Sequence, residues 1–560
     1  MSTSSEEKPA STDLSLTERT PPLSRRKLIT VFLTCSAIGF TSFLDQSTLA
    51  VALPIIGASL GASDQVSSIA AAYYITSTSF QLLYGRLSDI WSRKLILILG
   101  LAIFFLGSLG TSLAKNFSQV IIFRAITGIG GGSLVTVAQI IVGDVVSLRE
   151  RGRWQGIVGS AIAVTYGIGP IIGGHLASRS SNSWRWIFRI NLFTSAFTIL
   201  MVLAFLPQKK VEGNWKTKLK TIDFFGTILS LAGSSLTIIG LSFGGEIFPW
   251  QSPQFIVIIT LGGLIMAAFL LWEWKGAKLP LIPLSMFNSR MIKATSLVTF
   301  IGGWNFYVQV FFIPSFYNLA YGYSPSKAAA MLLPVTVVQT VSSTLGGLVV
   351  TWRGRYRESL IFGYTLWCVS LGLHSSLRPS TSLAQQLIYG FLLGFGSGLT
   401  FQPSLIAIQS AVSVEFMAVV TGVRSFIRDI AGTFGLAIAG SIINIMIRKA
   451  LLNITANGQA VLSSQQINEI QKNPSLPRSK IDPVILENVD KIRSLVVSAY
   501  FEGFRRVFYL GTALGFVAIV TTIFFIPQVE LSAEENNETN LSREQSTEIS
   551  NEKFSISKNL

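Results

Sequence analysis

The stretch Gln81-Leu-Leu-Tyr84-Gly85-Arg-Leu-Ser-Asp89-Ile-Trp-Ser-Arg93-Lys94-Leu-Ile-Leu-Ile-Leu-Gly100-Leu-Ala-Ile-Phe-Phe-Leu106 decides how the chain is read. One apolar run ends, four charges follow within nine residues (Arg86, Asp89, Arg93, Lys94), and a second apolar run begins at once. Each flanking run, 66–86 and 95–114, is near the roughly 20 residues a helix needs to cross a hydrocarbon core of about 30 Å. The pattern recurs along the 560 residues, in which 49% of side chains are hydrophobic and 13% charged. Soluble chains carry about a quarter charged residues. A polytopic membrane protein follows, and disorder or a secreted disulfide scaffold is excluded.

A window of about 19 residues places spans near 28–53, 66–86, 95–114, 119–144, 154–178, 187–207, 222–243, 254–273, 293–318, 326–352, 359–377, 384–411, 418–446 and 505–527. Fourteen transmembrane helices are expected. With a cytosolic N-terminus the inner loops hold eighteen Lys and Arg and the short outer loops about six (Lys115, Arg179, Arg185, Arg189, Lys327, Arg378). That asymmetry sets orientation and puts both termini in the cytosol. Residues 1–27 and the acidic segment 528–560, rich in Ser, Thr and Glu, read as disordered tails. The first apolar run is too long for a cleaved signal and reads as an anchor. In the long outer loop 447–504, Asn453-Ile-Thr455 is an acceptor sequon for glycosylation, and residues 484–503 suggest a short surface helix.

The net charge of +16, from 44 basic and 28 acidic residues, sits in clusters between apolar runs rather than on one face. It marks topogenic loops, not nucleic acid binding. No Gly-Lys pair exists, so a phosphate-cradling loop and direct use of ATP are not expected. The run Gly128, Gly130, Gly131, Gly132 reads as small residues at a helix contact. Two histidines, His175 and His374, and two cysteines, Cys35 and Cys368, supply no metal-ligand spacing, so neither metal nor cofactor is expected and an enzyme is disfavoured. What remains is movement of a small solute through the lipid bilayer, driven by an ion or solute gradient.

Ionisable groups inside spans are costly and are functional candidates by default. Asp45 lies deep in the first span and Arg124 in the fourth, a titratable carboxylate and its countercharge. Arg424 and Arg428 share a helix face four residues apart, with Asp429 beside them. Arg428 and Asp429 are expected to balance charge without meeting, and the cluster suits a surface anchor as well as a pore. Gln139, Asn305, Gln309, Gln402 and Gln409 are polar groups that suit a cavity lining or hydrogen bonds across helices.

The loop Gly85-Arg-Leu-Ser-Asp89-Ile-Trp-Ser-Arg93-Lys94 resembles that of the major facilitator superfamily. Leu44-Asp45-Gln-Ser-Thr48 with Ala52-Leu53-Pro54, Arg124 with Gly128 and Gly132, and Gly169-Pro170-Ile-Ile-Gly173-Gly174 are similar to motifs of its fourteen-span drug:proton antiporters. Trp184-Arg185-Trp186-Ile187-Phe188, Asn191 and Pro280-Leu-Ile-Pro283-Leu-Ser-Met-Phe287 are similar to fungal members. Ser92 and Thr165 stand where those motifs often have Gly. The resemblance implies an all-α fold with two six-helix bundles, 28–207 and 279–527, flanking a cavity, two added spans within 208–278, and alternating access by rocking. It further implies proton coupling at Asp45 and Arg124, gating by Gly85, Arg86, Asp89 and Arg93, and packing by Gly169, Pro170, Gly173 and Gly174. The expected protein is a monomeric proton-coupled antiporter exporting drugs or toxins from the cytosol, in the plasma or vacuolar membrane. The alternatives are a vacuolar basic amino-acid transporter, favoured by Thr76–Tyr84, and, from another class, a non-transporting nutrient sensor. The aromatic set Trp304, Phe306, Tyr307 and Phe401 favours export.

Overall fold

A computed structural model describes residues 24–62, 67–146, 150–180, 182–207, 222–244, 248–277, 280–413, 416–452, 455–456, 459–460 and 489–529. The basic cluster 209–220, Asn453 and nearly all of both tails lie outside the described residues. In hydrocarbon every backbone N–H and C=O must be paired within its own segment, so apolar runs become helices.

The described helices of 19 residues or more are α1 Arg25–Ser59, α2 Ser67–Ile90, α3 Arg93–Leu113, α4 Phe117–Val145, α5 Arg151–Ser178, α6 Arg185–Phe205, α7 Phe224–Phe243, α8 Pro253–Lys275, α9 Arg290–Leu319, α10 Leu333–Arg353, α11 Arg357–Ser375, α12 Leu383–Gln409, α13 Met417–Leu452 and α14 Val489–Phe525. A 3-10 turn, Leu284–Asn288, precedes α9, and a two-residue ladder pairs Thr455 with Ala460. Twelve of the helices are long and apolar enough to cross a membrane, two fewer than the fourteen spans expected. The two that fall short are α2, with Gln81, Arg86, Asp89 and a Ser/Thr run, and the 19-residue α11, which opens on Arg357-Glu358.

Polar side chains start several helices. Ser92 Oγ accepts from the Leu95 N–H, Asn116 Oδ1 from Gln119 and Asp223 Oδ1 from Gly226. Such caps satisfy backbone donors left open in the first turn. The departure at Ser92 therefore has a local reason, because it is the N-cap of α3.

Two separate apolar cores divide the chain. One joins α1–α6 through Val31, Phe32, Leu97, Phe104 and Val137. The other joins α9–α14 through Val298, Trp367, Leu393 and Phe504. Close approach of backbones substitutes for a driving force between apolar helices in lipid. A Cβ on Gly128 would overlap the Tyr73 carbonyl of α2, and one on Gly130 the backbone of Phe104 in α3, so the glycine run is a helix contact. Between the halves, α5 packs on α10 and α2 on α13.

The hairpin α7–α8 packs on α2 and α13. Most of α8 faces outward, with Val257 and Leu264 exposed and only Gly262, Phe269 and Glu273 buried. A third core lies where this hairpin meets both halves: Leu82 of α2, Phe269, the connecting residues Leu281, Ile282 and Met286, then Ile408, Val420 and Val423. The stretch 280–287 is thus a strap anchored by the buried Leu281, Ile282 and Met286.

The final helix corrects one expectation. Residues 489–503 are not a separate surface helix but the first turns of α14, because Val496, Ala499, Tyr500 and Phe501 join the second core.

Candidate functional site

The first buried charge cluster lies inside the α1–α6 half. Asp45 of α1 is fully buried, and Arg124 of α4 is 1% exposed. Nη1 of Arg124 donates to both carboxylate oxygens, at 2.9 and 2.8 Å. Asn191 Nδ2, from α6, donates to Asp45 Oδ1 at 2.6 Å. The guanidinium stands over the Tyr73 ring at 4.7 Å and the Phe188 ring at 5.8 Å. A buried charge is tolerated when it is paired and its remaining lone pairs are used. The residues paired on sequence grounds do meet, and Asn191 is the added third member.

The second cluster lies between the halves. Asp429 of α13 accepts from Gln81 Nε2 of α2 at 2.7 Å and from Tyr307 Oη of α9 at 3.1 Å. Arg428 Nε reaches Asp429 Oδ1 at 3.1 Å. This corrects the expectation that Arg428 and Asp429 do not meet: both side chains turn into the seam, about 10% exposed, and pair there. Tyr74 packs edge-on against Tyr307 and donates to Gln46 Oε1. Phe306 and Phe401 adjoin at 5.9 Å. From sequence Asp429 suits a surface anchor as well as a pore, and its partners 348 and 122 residues away are invisible to a local reading.

At the end of the molecule carrying the Arg-rich loops, polar and glycine contacts seal the halves. Arg151 of α5, 5% exposed, donates through Nη1 to Gln409 Oε1 of α12 at 2.8 Å and through Nη2 to the Gly143 carbonyl at 2.5 Å. Gln409 Nε2 donates in turn to Thr421 of α13. A Cβ on Gly152 of α5 would overlap the Gly347 carbonyl of α10. Gly85 lies against Ala418 and Gly422 at this seam, where a Cβ would make ordinary contact. Beside it, Arg93 pairs with Asp89 at 2.6 Å and with Asp144 at 2.9 Å, and donates to Ser88 Oγ at 3.1 Å. The Nε of Arg86 is buried without a hydrogen-bond partner.

Glu273, at the end of α8, was not singled out from sequence. It is 4% exposed, and its Oε2 accepts from the Ile282 N–H at 3.0 Å, fastening the strap to the hairpin. The flanking tryptophans, Trp272 and Trp274, were the available signal.

Other candidates separate. Asn305 donates to the Gly511 carbonyl and Gln309 accepts from Trp367 Nε1, so both tie helices within the second half. The Oε1 atoms of Gln139 and Gln402 are buried without partners. Gly169 and Gly173 face Ser47 and Thr48 of α1, where a Cβ would clash, and the Thr165 carbonyl accepts from Ser47 Oγ at 3.4 Å. Pro170 and Gly174 lie in the same helix, α5. No group of three metal-ligating side chains occurs among the described residues.

Comparison with known proteins agrees with this architecture. The sequence profile of the Major Facilitator Superfamily matches residues 35–436. Citrate exporter 1 of Yarrowia lipolytica is 32% identical over 509 residues, 90% of this chain and 73% of that protein. The MFS-type efflux pump LUC4 of a Fusarium species is 28% identical over 559 residues, 97% of each. Among solved structures, the proton:xylose symporter XylE of E. coli aligns with a TM-score of 0.58 at 13% identity, over 91% of this chain and 99% of that one. That last likeness concerns the fold.

Proposed function

The chain belongs to the Major Facilitator Superfamily, and from that premise we propose that this transporter is a proton-coupled antiporter exporting small organic solutes from the cytosol. The observation that carries the reading is the seam. Two halves with their own cores meet through replaceable polar bridges, Asp429 to Gln81 and Arg151 to Gln409, beside a small apolar cluster of Leu82 with Ile408, Val420 and Val423. Such an interface suits rocking between two arrangements.

In this reading α2 and α11 also cross the bilayer, making fourteen spans as two six-helix bundles with α7–α8 between them. The Arg-rich loops face the cytosol, as their charge bias favours, so the cytosolic gate is closed in this conformation. Gly85, Arg86, Asp89 and Arg93 form that gate together with Arg151 and Gln409. Asp45 and Arg124 carry proton coupling: protonating the carboxylate weakens both bonds from Nη1 and frees a fixed cation. Relatives described as a citrate exporter and as efflux pumps support outward transport. The protein acts as a monomer in the plasma or vacuolar membrane.

The test is uptake by sealed vesicles of purified protein with an acidic lumen, against a collapsed-gradient control. Gradient-driven uptake per amount of monodisperse protein should fall at least tenfold in Asp45→Asn, a variant that also loses stability because Arg124 is left without its counterion. Unchanged flux in that variant would contradict the coupling assignment.

A further inference from the structure

Two arginines in the seam share one acid. Arg424 and Arg428 stand one turn apart on α13, and one ring, Phe401 of α12, faces both guanidinium groups at 5.8 and 5.3 Å. Arg424 is 2% exposed. Its Nη2 donates to the Phe401 carbonyl and to Ser404 Oγ, each at 3.0 Å, and its buried Nε has no hydrogen-bond partner. The titratable groups close enough to act on Arg424 are Arg428, Tyr364 and Asp429. Those acting on Arg428 are Asp429, Tyr307 and Tyr166. Two permanent cations thus face a single carboxylate, while Asp45 and Arg124 balance one another elsewhere.

A surplus buried charge is expensive unless a partner arrives. The guanidinium fork matches a planar carboxylate in two parallel hydrogen bonds, and the open Nε–H of Arg424 is an unused donor for it. Around these groups both halves contribute rings: Tyr74 and Tyr166 from the first, Phe306, Tyr307 and Phe401 from the second. They supply an apolar wall for the body of a ligand whose charged end lies on the arginines. A basic solute finds the opposite field.

We propose that Arg424 and Arg428 form the binding site for a substrate carboxylate, so that the carried solute is an organic anion, with Asp429 occupying Arg428 when the site is empty. This rests on the transport reading above and narrows its substrate class. Binding would draw Arg428 from Asp429, so loading the site changes the partners of a carboxylate that also bridges to Gln81 of the other half.

The experiment uses full-length protein in vesicles with an acidic lumen, offered labelled citrate, labelled salicylate and the cationic dye rhodamine 6G in parallel. At least one carboxylate should accumulate and the dye should not. Arg424→Gln should lower that uptake at least tenfold, and Arg424→Lys should retain part of it. If Arg424→Gln does not remain monodisperse, Arg428→Lys serves in its place, with a loss of at least fivefold expected. Accumulation of the dye without either carboxylate would overturn the anion site and leave transport standing. Carboxylate uptake unchanged in a well-folded Arg424→Gln would overturn the residue assignment. Movement of none of the three by wild-type protein would overturn the transport reading and this inference with it.

Discussion

Two carboxylates paired with arginines, Asp45 and Asp429, differ in what surrounds them. Asp45 takes all its partners from α1, α4 and α6, elements of one core, and is fully enclosed. Asp429 takes Gln81 from one half and Tyr307 from the other, and keeps about a tenth of its side chain accessible. Rigid-body rocking of the halves leaves the first set of distances unchanged and must alter the second. In the proposed rocking Asp45 would change state only when a proton reaches it, whereas Asp429 would change partners whenever the seam opens. A carboxylate saturated inside one rigid unit stabilises that unit, and one that bridges two units reports their relative position.

The largest expected effect falls on the enclosed site. Arg124→Ala leaves Asp45 as an uncompensated buried charge, a change that costs about 3–5 kcal/mol. Thermal unfolding of the detergent-purified variant should show a large fall in midpoint or loss of the monodisperse species. A midpoint equal to wild type would erase the distinction between the two carboxylates.

A smaller effect is expected at the seam. Gln81→Ala removes a hydrogen bond to a charged group, worth about 1.5–3 kcal/mol, but the loss is felt only where the halves touch. Unfolding should change little, while a cysteine placed at the buried Ala418, beside Gly85, should react with a water-soluble maleimide roughly tenfold faster, the factor that corresponds to about 1.4 kcal/mol. Equal labelling rates would show that the Asp429 bridge does not hold the closed arrangement.

The smallest belongs to the loop pairs. Arg93 is a quarter exposed and its partner Asp144 is 42% exposed, so solvent screens the interaction and Arg93→Ala should cost no more than about 1 kcal/mol of stability. The same unfolding assay checks this, and a loss comparable to that of Arg124→Ala would place the gate among the structural pairs.

What the sequence disclosed follows from the same distinction. Asp45 and Arg124 stand out because each is a charge inside an apolar run, and their opposite signs suggest the pairing that the fold makes. The glycine run 128–132 was legible as a helix contact for a similar reason, the absence of any strand before it. Asp429, Arg151 and Glu273 lie near the ends of apolar runs or beside other charges, where surface roles suffice locally. Their partners Gln81, Gln409 and Ile282 come into reach only through the packing of other elements. The sequence window counts α2 and α11 as spans, whereas the helices themselves are not among the twelve apolar enough to cross, because polar residues at the seam and the loop ends lower their apolar character. The start of α14 was set too late because its first turns are amphipathic, their apolar side joining the second core.

The central claim is that the halves part where α2 meets α13. A cysteine pair at Gly85 and Gly422 tests it directly, since a Cβ on either residue comes within 4 Å of the other's Cα, close to the spacing a disulfide bridges. With Cys35 and Cys368 replaced by Ala, oxidation should form the cross-link and stop vesicle uptake, and reduction should restore it. Uptake continuing at the wild-type rate in fully cross-linked protein would contradict the account.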